Sequence, residues 1–209
     1  MSRREDALAR KSAREQKYLA ERESIMRAAY RLIGQDASAT TSIEDILRAT
    51  GFARRAFYRH FPSKDALVLA LCRRDGNAAA ALLRDKVAAA RTPRLALAAW
   101  VDTGLWVAYD PRRARRGRWY NSIEATSAQG IGDVLEEGYA AQRAPLIELL
   151  ESGRREGVYP RARPEPDAFA IQALVNRYVE RVYLGRPFSE HSEARQAILE
   201  LFERALGPD

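Results

Sequence analysis

The sequence predicts an all-α protein, a compact three-helix unit near residues 22–62 joined to a bundle of about six helices. Three observations lead there. No period-2 alternation is sustained and no hairpin of the Asn-Gly or Asp-Gly type stands out. Apolar residues recur at helical spacing along most of the chain. Capping residues, glycines and prolines fall between those stripes.

Residues 22–35 place Ile25, Ala29, Leu32 and Ile33 on one stripe. In "TTSIEDILRATG", Ser42 stands three before Asp45 and Thr41 three before Glu44, so either pair can form a capping box, and Gly51 closes the helix. A third helix lies inside 53–61, stopped by Pro62. A fourth starts at Ser63 with Leu67, Leu71 and Ala78 on its inner side. Pro93 to Asp110 is an apolar helix. Asp110-Pro111 provides an N-cap and first-turn proline for another, through about Ser127. Residues 131–155 form a helix that Pro145 should kink or split. "GVYPRARPEPD" is a proline-rich connection, followed by apolar helices over 167–184 and 191–206. The first twenty residues are mixed charge, a disordered arm or an extension of the first helix; whether they touch DNA is left open.

Composition narrows the function classes. The chain has 209 residues, 35 Lys+Arg against 28 Asp+Glu, and a formal charge of +7, which favours anionic partners only weakly. Cys72 is alone, so no intrachain disulfide forms, and a reducing cytoplasm suits it. No signal peptide and no apolar run near the roughly 20 residues of a membrane span is visible, so a soluble cytoplasmic protein without membrane contact is expected. His60 and His191 are the only histidines, and metal spacing, P-loop and nucleophile elbow are missing. We therefore expect no enzyme, no catalytic residue, no metal and no cofactor.

The stretch "GFARRAFYRHFPSK" (51–64) carries the functional signal. On a helix at about 100° per residue, Phe57 and Phe61 point the same way, Arg55 and Arg59 almost directly opposite, with Ala56 and Tyr58 flanking them. Arg54 and His60 fall on the shoulders. Two short helices joined by Thr50-Gly51-Phe52, the second presenting arginines, match a helix-turn-helix motif. In that motif the second helix enters the major groove, where Arg grips guanine O6 and N7 together.

The run "TSIEDILRATGFARRAFYRHFPSKDALV", with "IMRAAYRLI" before it, resembles the DNA-binding region of TetR-family transcriptional regulators over roughly residues 22–72. The resemblance implies residues 22–68 as a DNA-binding domain after a charged arm or helix extension (1–21), with 69–209 binding ligand and dimerising. It implies that Tyr58 and His60 bond backbone phosphates and that Lys64 and either Thr41 or Ser42 add contacts at helix N-termini. Arg55, Ala56 and Arg59 stand where the family reads bases, and Arg54 serves base or phosphate. This chain departs from the pattern at Ala53, usually Ser or Thr, which removes a side-chain cap, and at Ala56, usually Thr, which removes a hydroxyl. Arg55, Leu47 and Ala37 replace smaller or more flexible residues.

The resemblance further implies double-stranded DNA as partner and a homodimer through residues 167–184 and 191–206, whose stripes (Ile171, Val175, Tyr178, Val182; Ala194, Ile198, Leu201, Ala205) spread wide enough to need cover on two sides. A two-fold dimer implies a palindromic operator. The aromatics Trp100, Trp106, Tyr109, Trp119 and Tyr120, with Asp102 interrupting an apolar helix, are the candidate pocket for a small-molecule effector. "RRARRGR" (112–118) is either a second DNA contact or a solvated face. The expected function is a repressor released by its effector; the alternative is a DNA-binding protein of low sequence specificity without one.

Overall fold

The computed structural model describes residues 3–35 and 42–207, which hold helices and turns and no strand. In chain order the helices are α1 (Arg3–Gln35), α2 (Ile43–Thr50), α3 (Arg54–His60), α4 (Lys64–Ala88), α5 (Pro93–Tyr109), α6 (Pro111–Tyr120), α7 (Ile123–Thr126), α8 (Ile131–Arg155), α9 (Pro164–Tyr183) and α10 (His191–Leu206). Contacts divide the chain into Met1–Val68 and Leu69–Asp209, the division falling within α4.

In the first unit, α1 runs unbroken for 33 residues, so the charged N-terminal stretch continues the helix rather than hanging as an arm. Side chains 12–20 on it are exposed. Further along, Ile25, Met26, Ala28, Ala29 and Ile33 are buried where α1 packs against α2, and Ile46 of α2, Phe57 of α3, Phe61, and Leu67 and Val68 of α4 are buried too. The capping box at α2 is the Ser42–Asp45 pair: Ser42 Oγ accepts from Asp45 N (3.1 Å), and the Asp45 carboxylate reaches back to Ser42 N (3.4 Å). Gly51 ends α2 in the left-handed region (φ 71°), where its N–H bonds Leu47 O; a Cβ there would be strained. Ala53 at the start of α3 makes no side-chain cap. Ser63 opens α4 by accepting from Ala66 N (3.0 Å). Ala78 of α4 is exposed, so the inner side of that helix runs through Leu67 and Leu71 instead.

The second unit is built on α5, which packs against α6, α8, α9 and α10. A helix covered on so many sides must be apolar nearly all round, and "PRLALAAWVDTGLWVAY" is. Its Leu97, Trp100, Val101 and Leu105 meet Leu146 and Leu150 of α8, Ile171 and Val175 of α9, and Ile198 and Phe202 of α10. Thr92 caps α5 through Leu95 N, and Asp110 caps α6 by accepting from Arg113 N (2.9 Å).

Two expectations change here. The helix after Asp110 stops at Tyr120, because Asn121 donates back to Gly117 O (2.8 Å) and Ser122 caps the separate α7 through Ala125 N. Conversely α8 does not split at Pro145. Pro145 carries no N–H, yet α8 runs unbroken from Ile131 to Arg155, and two carbonyls of the turn before it take side-chain donors as well: Trp100 Nε1 to Gln142 O (3.0 Å) and Gln172 Nε2 to Tyr139 O (2.9 Å). Pro145 itself is buried.

Gly117 of α6 lets α9 approach closely. A Cβ on it would lie 2.0 Å from Cζ of Tyr183. Gly117→Ala should therefore destabilise the protein by about 1–3 kcal/mol, because the overpacking exceeds the helix-propensity gain of about 1 kcal/mol. Gly132→Ala on α8, where a Cβ meets nothing within 4 Å, should stabilise slightly or leave stability unchanged. Urea unfolding midpoints check both; equal behaviour of the two variants would contradict the packing argument.

Candidate nucleic-acid interface

The α3 helix has two chemically distinct sides. Phe57 and Phe61 are 0% and 2% exposed, with their rings 5.8 Å apart. On the other side Arg55, Tyr58 and Arg59 are exposed, with Ala56 half-buried between them. Both sequence-derived orientations are thus met: aromatic side inward, arginine side outward.

The arginines differ in their partners. Arg54 pairs with Glu44 of α2, both side chains more than half exposed. Arg59 Nη2 lies 2.7 Å from Oε2 of Glu21, a half-buried residue of α1. Among the described residues, Arg55 makes no ion pair.

The expected phosphate contact of His60 does not suit this arrangement. Its side chain is fully enclosed, with Nε2 3.1 Å from the same Glu21 oxygen and its ring 4.3 Å from that of Tyr18. A carboxylate only accepts, so Nε2 carries the hydrogen, and Nδ1 is buried without a partner. The imidazole therefore ties α3 to α1 rather than facing solvent. Glu21 answers this environment: the hydrogen bond from His60, with the charge of Arg59 adding to it, holds its carboxyl below the ordinary 4.5.

Ser42 is half-buried and its hydroxyl serves Asp45, donating to Oδ2 at 2.5 Å, while its hydrogen bonds hold the Asp45 carboxyl low. Lys64 is half-buried as the first residue of α4. Thr41 and Ala37 lie outside the described residues.

The six effector-pocket candidates do not converge. Trp100 and Trp119 are core, each 2% exposed, and Trp106 is exposed with Arg113 over its ring at 4.2 Å. The Tyr109 hydroxyl donates to Ser189 O (2.9 Å) and that of Tyr120 to Asp75 (2.7 Å). Asp102, expected to meet a ligand, instead lies 3.5 Å from both His191 and Arg195 of α10. A cavity of about 310 Å³ lies elsewhere, walled by Asn121, Tyr139, Asn176, Arg177, Glu180 and Tyr183, none of which the sequence marked. Burial pushes the Tyr183 hydroxyl up to about 12, so it stays neutral and able to donate. The same cause pushes the Cys72 thiol up to about 12, far from a reactive thiolate. No helix among the described residues is long and apolar enough to cross a membrane.

Comparison with known proteins agrees with the geometry. Residues 25–71 match the family model of bacterial regulatory proteins, tetR family. No curated protein sequence matches the chain. Solved structures share its fold at low identity. A protein described as a TetR-family regulator from Mesorhizobium loti MAFF303099 superposes with a TM-score of 0.75 at 16% identity, covering 91% of this chain and 98% of that one. One so described from Rhodococcus sp. gives 0.70 at 18% identity, covering 90% and 100%. The transcriptional regulator FadR from Bacillus subtilis, solved in complex with stearoyl-CoA, gives 0.70 at 16% identity, covering 88% and 98%. The family match spans the helix-turn-helix, residues 25–71, and the whole chain shares the fold of these solved regulators.

Proposed function

We propose that the protein is a repressor that holds a palindromic operator as a homodimer and releases it when a small molecule occupies the second unit. The observation that carries this reading is the division of α3: aromatic rings sealed inward and Arg55, Tyr58 and Arg59 turned outward. Such a helix can enter a major groove with Arg55 and Arg59 at base edges, Tyr58 and Lys64 at phosphates, Arg54 at either, and Ser42 or Thr41 adding a phosphate contact. A second DNA contact through residues 112–118 is not needed for it.

Apolar groups left in water support the dimer. On α10, Ala197, Leu201 and Ala205 are exposed at four-residue intervals, while Ala194, Ile198 and Phe202 face the core. On α9, Phe169 is 60% exposed. Pairing of 167–184 and 191–206 with a second copy would cover these groups and set two α3 helices at one DNA turn, roughly 34–36 Å apart.

The effector seat we favour is the cavity beside Tyr139 and Tyr183. Its volume lies at the low end of small-molecule sites, roughly 300–1,000 Å³, and its amides and hydroxyls suit a small polar ligand. Bound ligand that prefers the DNA-free state by a factor of about 100 supplies just under 3 kcal/mol of coupling, enough for release.

Selection of bound sequences from a random duplex pool should return one short inverted repeat; a pool without a preferred sequence would overturn the repressor reading. On the selected site, Arg55→Ala should cost about 1–3 kcal/mol and relax preference at one position per half-site. Lys64→Ala should weaken all sequences alike and lower the salt slope by about 1. Leu201→Glu should shift sedimentation from dimer to monomer. A variant that still sediments as a dimer would place the interface elsewhere.

A further inference from the structure

Glu21 has no part in the expected interface, being an acid on α1 far from the helix-turn-helix in sequence. Yet one of its oxygens receives both Arg59 Nη2 (2.7 Å) and His60 Nε2 (3.1 Å). Its side chain is 17% exposed, against 56% for Arg59, so the acid is the fixed member of the pair. The enclosed His60, its ring tilted against Tyr18 at 4.3 Å, anchors it as well. An exposed ion pair holds weakly because both side chains must be ordered. Here the carboxylate is already ordered by His60.

We infer that Glu21 is a specificity-determining residue acting through Arg59. On DNA of any sequence the phosphates attract Arg59, but moving the guanidinium onto them breaks the Glu21 bond and returns no base contact. On the operator, Arg59 can keep one N–H on Glu21 and aim the others at a base edge, because the guanidinium has five donors in a fixed fork. The acid thus lowers attraction to every sequence and leaves the best-matched one least affected. A penalty against wrong partners raises discrimination as effectively as a new contact to the right one.

This inference rests on the regulator reading for the operator half of its test but not for the rest. Glu21→Gln keeps the side-chain volume and an acceptor for His60 while removing the charge. In titrations of the full chain on a random-sequence duplex at several salt concentrations, Glu21→Gln should bind several-fold tighter than wild type. Its salt slope should steepen by about 0.9, one phosphate contact more. The operator-to-random affinity ratio should fall correspondingly. In an Arg59→Ala background the same substitution should change neither quantity. Unchanged slope and ratio in Glu21→Gln, or an equal effect without Arg59, would overturn the inference.

Should Glu21→Gln not fold, Arg59→Gln reads the pair from the other side. It must lose operator discrimination yet keep the wild-type slope on random duplex, and a slope shallower by about 0.9 would overturn the inference. If wild type selects no sequence at all, the regulator reading fails instead, and the random-duplex arm still decides the role of Glu21.

Discussion

Everything α3 offers to a partner depends on two phenylalanine rings being sealed beneath it. A seven-residue helix is too short to be stable by itself, and Ala53 gives it no side-chain cap. Burial must hold it. Phe57 and Phe61 are almost wholly enclosed, each worth roughly 1.5–3 kcal/mol of transfer energy. Because the rings sit four residues apart, they also fix the helix about its own axis. A shift of register by one residue would turn it by about 100° and carry the arginines off the outer side. The direction of Arg55 and Arg59 is thus a consequence of packing, and any function of the cationic side inherits its precision from the core.

That much was legible in the chain because it is local. The spacing of Phe57 and Phe61, the turn at Gly51 and the stop at Pro62 all lie within a dozen residues of one another. Local patterns can also be degenerate. Thr41–Glu44 and Ser42–Asp45 satisfy the same capping rule, and coordinates were needed to assign the box to Ser42. Contacts between Glu21 and the 59–60 pair, 38 and 39 residues away, leave no periodic trace. The one available hint was Tyr18, a rare aromatic in a stretch of charge, whose ring lies 4.3 Å from that of His60. His60 shows the cost of reading by position alone: a polar residue on the shoulder of a reading helix looked like a phosphate ligand, whereas the α1 extension encloses it.

In the bundle, adjacency in sequence misled. Trp100, Trp106, Tyr109, Trp119 and Tyr120 cluster along the chain, but helical rotation and the corner at Asp110 send them to the core, to solvent and to separate hydrogen bonds. The cavity instead draws Asn121, Tyr139, Asn176, Arg177, Glu180 and Tyr183 from the segment after α6, α8 and α9. Polar residues scattered over sixty positions give no hydrophobic signal, so nothing in the sequence could assemble them. Pro145 is similar in kind. Proline tends to break helices, yet here Pro145 is buried inside α8, whose preceding turn is tied to α5 and α9 through Trp100 and Gln172, long-range contacts that the sequence does not reveal.

The apolar width of α10, by contrast, was visible from composition and becomes interpretable only with burial attached. Ala194, Ile198 and Phe202 satisfy the core, and a helix needing to cover one face could stop there. Its outer residues at the same interval could then all be charged without loss. They are Ala197, Leu201 and Ala205, with Glu200 and Arg204 along one flank of the row. Two alanines flanking one leucine form a low surface with a single projection, a shape that admits a second helix at close range and gains little from water. The acid and base beside them are placed to border such a contact, which is the arrangement of an interface core with a polar rim. The same helix therefore packs into the bundle on one side and leaves a low apolar row on the other, which under the proposed dimer would be covered by a second copy.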